Sequence, residues 1–162
     1  MIRRSHASWV VPTIAPFVAI MLIRSTSSKL QAAGALLQAD TQKSMWVGVF
    51  TESQAIRGQS IYRDECARCH SDTLAGGESS PPLVGDAFLD EWNGKTVADL
   101  FERMRATMPE DSPGRLSGKQ YASLIAYILQ VNSVPAGANE LDAALPLLKT
   151  IKIDKTKPSR IE

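Results

Sequence analysis

The chain has few of the residues that build metal cages or disulfide frameworks, since its 162 residues include only two cysteines and two histidines. It also lacks an excess of either charge: 18 Lys and Arg stand against 17 Asp and Glu, a formal net charge of +1. Without a basic excess there is no electrostatic attraction to nucleic acid, so we expect no nucleic-acid partner. The hydrophobic fraction of 44% excludes a wholly disordered or collagen-like chain. At this length we expect a single domain.

The N-terminal region lacks an apolar run long enough to cross a membrane. Arg3 and Arg4 precede an uncharged apolar stretch over 9–23, whereas a spanning helix needs about 20 apolar residues. Basic residues, a short apolar stretch and small residues at 33–35 are typical of an export signal. We therefore predict an export signal over 1–35, with a retained N-terminal anchor as the alternative, and a linker over 36–50. The protein is then expected to be periplasmic, with a membrane partner only if the N-terminal segment is retained.

Three segments carry helix start signals in which a hydroxyl side chain is followed three residues later by a side chain able to bond back to the backbone. These pairs are Thr51 with Gln54, Thr96 with Asp99, and Ser117 with Gln120. Apolar residues recur at three- and four-residue intervals behind each start, which is typical of amphipathic helices. The second helix is expected to end before Pro109, because the residue before a proline disfavours helix, and the third is expected to end at Asn132.

A shorter helix is expected over 86–92, and no segment shows sustained strand alternation. The sequence thus predicts an all-α domain over 51–135, with three main helices and a short one. Such a small domain buries little apolar area, so an internal ligand would help to hold it together. Residues 136–162 form a C-terminal extension rich in lysine, which we expect to be a solvated tail.

The motif that carries chemistry is C-x-x-C-H over 66–70, the signature of covalent c-type haem attachment. Cys66 and Cys69 are spaced to form thioethers with the two vinyl groups of one porphyrin, and His70 then lies beneath the ring to bind the iron. Structural zinc normally needs four ligands, and the other histidine, His6, lies within the predicted export signal. A redox dithiol would expect a βαβ context. Zinc binding and dithiol chemistry remain the alternatives to haem.

A second iron ligand is expected from methionine, because only one histidine remains outside the predicted signal. Met45, Met104 and Met108 are the candidates. Met45 precedes the first helix, on the same side of the fold as the motif, and Met104 lies on the apolar stripe of its helix, where a core role is the default. Met108 follows that stripe just before Pro109, where its thioether is able to leave the helix. We therefore favour Met108, with core packing as its alternative role.

Residues 51–135 resemble a small class I c-type cytochrome and are similar to single-haem domains found alone or attached to quinoprotein dehydrogenases in bacteria. The matching pieces are Gly58 and Tyr62 in the first helix, the 66–70 motif, residues 81–85, 107–109 and 113–114, and residues 126–129 of the last helix.

The resemblance implies the cytochrome c fold around one covalently bound haem c. It implies that Cys66 and Cys69 hold the haem, that His70 and Met108 are the axial iron ligands, and that the carbonyl of Pro81 accepts a hydrogen bond from the other ring nitrogen of His70.

The resemblance further implies that the first and last helices cross where Gly58 meets Tyr127 or Leu124. Trp92 has two possible roles of equal weight, contact with a haem propionate and core packing.

The expected function is electron transfer by an exported single-haem carrier rather than catalysis, since iron closed by His and Met has no vacant position for a substrate. Its partners are expected to be redox proteins: a dehydrogenase as donor and an oxidase or other acceptor. Two alternatives remain. In the first, the chain is the haem subunit of a quinoprotein dehydrogenase complex. In the second, Met108 is not a ligand and the chain is an open-site haem sensor or enzyme.

Overall fold

The computed structural model describes residues 42–159, so the predicted export signal and His6 lie outside the described residues. The described part is mostly helical, with little strand, and this confirms the predicted all-α class. In chain order the elements are β1 (Lys43–Ser44), a 3-10 helix (Met45–Val47), α1 (Glu52–Glu65), α2 (Ala67–His70), α3 (Gly85–Trp92), α4 (Val97–Thr107), α5 (Gly118–Val131), α6 (Leu145–Leu148) and β2 (Ile151–Lys152).

Two of the three predicted helix starts are full capping boxes. Thr96 and Asp99 bond reciprocally at the start of α4, and Ser117 and Gln120 do so at the start of α5. The predicted ends are also confirmed: α4 stops at Thr107, and Asn132 follows the last residue of α5. Local hydrogen bonding therefore defines the bounds of these two helices.

The start of α1 differs from the predicted capping box. The Thr51 hydroxyl accepts from the Gln54 backbone N–H at 3.2 Å, as expected. The Gln54 side chain does not bond back to Thr51. It donates to the carbonyl of Leu141 at 2.9 Å and accepts from the N–H of Leu141 at 2.7 Å. This buried side chain therefore links α1 to the C-terminal segment, because it satisfies both backbone groups of one distant residue.

Helices α1 and α5 cross at close range. A Cβ atom at Gly58 would overlap the carbonyl oxygen of Ser123, lie 2.6 Å from its carbonyl carbon and lie 2.9 Å from the Cβ of Tyr127. The expected pairing of Gly58 with Tyr127 is present, and the backbone of Ser123 makes the nearest approach. Only glycine fits at this crossing.

The segments on either side of the helical domain contribute to its core. Met45 and Phe50, in the segment expected to be a linker, are fully buried. Leu148, Ile151 and Ile153 are also buried, so the expectation of a solvated tail is wrong for this stretch. The physical reason is that the apolar residues between the lysines are removed from water, which outweighs the solvation of the charges beside them.

The two ends of the described chain meet in a small parallel sheet. β1 pairs with β2 in the register Lys43 with Ile151 and Ser44 with Lys152. Lys152 also makes an antiparallel bridge with Thr96 at the start of α4. Within residues 42–159, no helix is long and apolar enough to cross a membrane.

Candidate functional site

The C-x-x-C-H motif lies where α1 passes into α2. Cys66 is the C-terminal cap of α1, with its N–H bonded to the Tyr62 carbonyl at 2.9 Å. The N–H of His70 bonds back to the Cys66 carbonyl at 2.9 Å, which closes one helical turn. The two cysteines form no disulfide with each other, and Cys66 is half-buried whereas Cys69 is exposed. The turn therefore presents two thiols and an imidazole from five consecutive residues.

The ring of His70 is buried and oriented by the loop that follows it. His70 is 7% exposed, and its Nδ1 lies 2.9 Å from the carbonyl oxygen of Pro81. Because a carbonyl oxygen only accepts, Nδ1 carries the proton and donates it. The lone pair is then on Nε2, the nitrogen left for a metal. The hydrogen bond between the His70 ring and the Pro81 carbonyl is the one that the family resemblance implied.

The loop between His70 and Pro81 turns back tightly at Gly76. Gly76 has a φ of 81°, and its N–H donates to the His70 carbonyl at 3.0 Å. A Cβ atom there would lie 2.8 Å from the backbone nitrogen of Pro82. A residue with a side chain would be strained in this backbone region, so glycine allows the turn that brings Pro81 to the imidazole.

A buried tyrosine fixes the chain after the histidine. The hydroxyl of Tyr62, which is 1% exposed, donates to the carbonyl of Ser71 at 2.6 Å. Burial, and then the negative charge that a Cys66 thiolate would carry, raise the pKa of Tyr62 above its usual range. Tyr62 therefore stays protonated and acts as a donor at ordinary pH.

The three candidate methionines occupy different places. Met45 is fully buried in the core, and it does not line the cavity described below. Met104 and Met108 both line that cavity and are both partly buried. Met108 is the C-terminal cap of α4, in an extended backbone conformation, and its N–H donates to the Met104 carbonyl at 2.8 Å. The structure thus brings Met104 and Met108 to the site and leaves Met45 outside it.

A cavity of about 1350 Å³ opens beside the motif. Ligand sites in proteins are concave and mostly apolar, and a cleft of this size is large enough to hold a ligand. Its walls are mainly apolar, as suits a flat hydrophobic group. They include Cys66, Cys69, His70, Pro81, Phe88, Trp92, Leu100, Met104, Met108, Leu124 and Ile128. The residues predicted for haem binding all lie on one cavity, and the donor set of two thiols, an imidazole and a thioether fits a haem.

The electrostatics of the thiols disfavour the dithiol alternative. Burial, and then the neighbouring Cys69, raise the pKa of Cys66 to about 11. A redox-active or metal-binding thiol instead has a lowered pKa. Among residues 42–159 no group of three or more His, Cys, Asp and Glu side chains is placed to hold a metal ion. The zinc alternative therefore has no ligand set in the described chain.

Charged side chains bridge the cavity rim. Arg115, in the loop after α4, pairs with Glu65 at the end of α1. Arg68 lies 3.7 Å from Asp111 across the same gap, with both side chains well exposed. Exposed pairs add little stability. They do connect the segment that carries the cysteines to the loop that follows Met108.

Trp92 lines the cavity and is half-buried. Its ring lies 6.4 Å from that of Phe88, and the Lys95 ammonium lies 4.8 Å from its centroid. Both interpretations of Trp92, a group facing the ligand and a packing residue, fit this position.

Two polar residues that bond to the backbone bordering the cavity could not be recognised from the sequence. Tyr121 donates its hydroxyl to the Met108 carbonyl at 2.7 Å. Asn132, expected only to end α5, accepts from the Gly85 N–H at 2.9 Å and donates to the Leu83 carbonyl at 3.0 Å. The only signal for either residue was a polar group beside apolar residues, Tyr121 within α5 and Asn132 at its C-terminal cap.

One known protein family matches the segment that carries this site. Residues 53–128 match the family described as Cytochrome C oxidase, cbb3-type, subunit III. Among solved structures, the sulfane dehydrogenase SoxCD from Paracoccus pantotrophus is similar at 24% identity and a TM-score of 0.40. That match covers 50% of this chain, which spans 44% of the matched chain. No curated protein matches.

Proposed function

We propose that residues 53–128, which match that family, form a small c-type cytochrome domain that holds haem c covalently and carries electrons with His/Met ligation of the iron. In this proposal Cys66 and Cys69 hold the haem, and His70 and Met108 are the axial ligands. The observation that best supports this proposal is that all four side chains line one cavity. When bound, the haem supplies an iron that alternates between two oxidation states.

His70 is suited to be the proximal ligand because its free nitrogen is defined. The Pro81 carbonyl, 2.9 Å from Nδ1, fixes the tautomer and the ring orientation. A ring held in one orientation needs little rearrangement when the charge on the metal changes. Met108 would be suited to hold the iron as the second ligand, because it follows the last residue of α4 and lines the same cavity as His70. A thioether ligand raises the reduction potential.

The proposed route for electrons is the exposed side of the cavity. Cys69 lines the cavity and is itself exposed, so a group held by this thiol would reach the protein surface there. Redox partner proteins of a c-type cytochrome meet it through small, weak interfaces. We propose a dehydrogenase as donor and an oxidase or other acceptor. The alternative is that the protein is the haem subunit of a quinoprotein dehydrogenase complex. Co-purification with such a complex would favour this alternative.

C-type cytochrome domains are typically exported, and we propose that this one reaches the periplasm by means of residues 1–35. We propose that the haem domain spans residues 51–135, with a linker over 36–50 before it and an extension over 136–162 after it. The N-terminus of the mature protein, read by mass spectrometry, tests the signal. A mature chain that begins after the apolar stretch supports cleavage, and a chain that retains this stretch supports an anchor.

The test of ligation compares two methionines on the same cavity. The near-infrared absorption of the ferric protein reports an iron–methionine bond. We expect the band in the wild type and in Met104→Ala, and its loss in Met108→Ala. Loss in Met104→Ala alone would make Met104 the ligand. High-spin iron without the band in the wild type would support the open-site sensor or enzyme.

A further inference from the structure

We propose that Tyr121 is a positioning residue for the axial methionine: its hydroxyl fixes the backbone at Met108 and so slows the departure of the thioether from the iron. This inference rests on the proposed ligation by Met108. It assigns a role to a side chain that is not among those lining the cavity.

The hydrogen bond comes from a rigid part of the fold. Tyr121 lies in the first turn of α5, directly behind the capping box of Ser117 and Gln120. The residue is 1% exposed, and its ring packs edge-on against Phe101 of α4 with centroids 5.9 Å apart. Its hydroxyl donates to the Met108 carbonyl at 2.7 Å. The donor is thus held by two helices at once.

The acceptor lies where the chain most needs support. Carbonyls at the end of a helix have no partner within the helix. Met108 is the cap of α4, and after it the chain leaves the helix at Pro109, which has no N–H to donate. Within residues 42–159 the Tyr121 hydroxyl is the hydrogen-bond donor to this carbonyl. Without it, the Met108 backbone loses its tie to α5.

The fold supplies a matched control on the opposite side of the cavity. Tyr62 is also 1% exposed, and its hydroxyl donates to the carbonyl of Ser71, the residue after His70, at 2.6 Å. Tyr62→Phe and Tyr121→Phe therefore each remove one buried phenol-to-carbonyl hydrogen bond and keep the ring. Tyr121→Phe releases the backbone at Met108, whereas Tyr62→Phe releases the backbone after His70.

The experiment measures imidazole binding to the ferric, haem-loaded full-length protein by stopped-flow absorption, at saturating imidazole, where loss of methionine limits the rate. Because one buried hydrogen bond is worth about a factor of ten, we expect Tyr121→Phe to bind imidazole about tenfold faster than the wild type. Tyr62→Phe, which releases the segment after the histidine instead, should accelerate imidazole binding less than Tyr121→Phe does. Equal rates in Tyr121→Phe and the wild type, or equal acceleration in both variants, would overturn the proposal.

A second measurement on the wild type covers the case in which Tyr121→Phe does not fold. In the NMR spectrum of the ferrous protein, the hydroxyl protons of Tyr121 and Tyr62 should both exchange slowly with solvent. Fast exchange at Tyr121 with protection at Tyr62 would overturn the proposal. A failure of the proposed ligation is distinguishable, because the wild type would then lack the near-infrared band.

Discussion

Replacing Gly58 by alanine tests the crossing of α1 and α5, on which the position of the motif depends. The new Cβ would overlap the Ser123 carbonyl oxygen and lie 2.6 Å from the carbonyl carbon. Both are backbone atoms, so no rotamer change relieves the contact and the helices must separate. Gly58 lies in α1 and Cys66 is the C-terminal cap of the same helix, so a displaced α1 also displaces one wall of the cavity.

The magnitude follows from two opposing effects. Overpacking costs about 1–3 kcal/mol, and the upper end applies because backbone must move. Alanine gains about 1 kcal/mol over glycine in a helix interior. The balance is a loss of about 2 kcal/mol in the free energy of unfolding.

The assay is urea unfolding of the haem-loaded protein, followed by absorption and by far-ultraviolet circular dichroism. Ser60→Ala, at an exposed position of the same helix, is the control, and it should change the free energy of unfolding by less than about 0.5 kcal/mol. If Gly58→Ala is as stable as the wild type or more so, the close helix crossing is refuted.

Three further predictions concern polar side chains that are not proposed as iron ligands. Gln54→Ala leaves both backbone groups of Leu141 without partners and should cost about 1–3 kcal/mol in the free energy of unfolding, measured by urea denaturation. Asn132→Ala should cost a similar amount, about 1–3 kcal/mol, because it frees the backbone at the start of α3. The Thr96 backbone and hydroxyl bonds lower the pKa of Asp99, so its contribution to stability is present above the unfolded pKa and lost as pH falls through the folded pKa. Asp99→Asn should therefore lose less stability than the wild type during acid titration.

Controls for these variants come from the same helices. Gln59→Ala in α1 is the control for Gln54→Ala, because Gln59 has no hydrogen bonds to a distant backbone like those of Gln54 to Leu141. It should leave the free energy of unfolding nearly unchanged. For Asp99→Asn, acid unfolding with the same slope as the wild type would contradict the assignment of the titration to this carboxylate.

The parts of the fold that local chemistry determines could be predicted from the sequence. The starts of α4 and α5 follow from side chains three residues apart, and the end of α4 follows from the steric effect of Pro109. The family resemblance placed the two cysteines, His70 and Pro81 together, and in the structure they line one cavity.

What could not be predicted depends on contacts between residues distant in sequence. The spacing of Thr51 and Gln54 indicated a capping box, yet Gln54 bonds to a residue 87 positions later, which spacing alone does not encode. The lysines of the C-terminal segment predicted a solvated tail. In the structure Ile151 and Ile153 are buried, and the short strand that contains Ile151 pairs with β1. The role of Tyr121 required the path of the loop after α4.

The most direct test of the central claim is the intact mass of the mature protein from a host that matures c-type cytochromes, combined with alkylation of free thiols. The account predicts a mass increase of one haem and no alkylation at Cys66 or Cys69. A protein without added mass, and with both thiols open to alkylation, would contradict it.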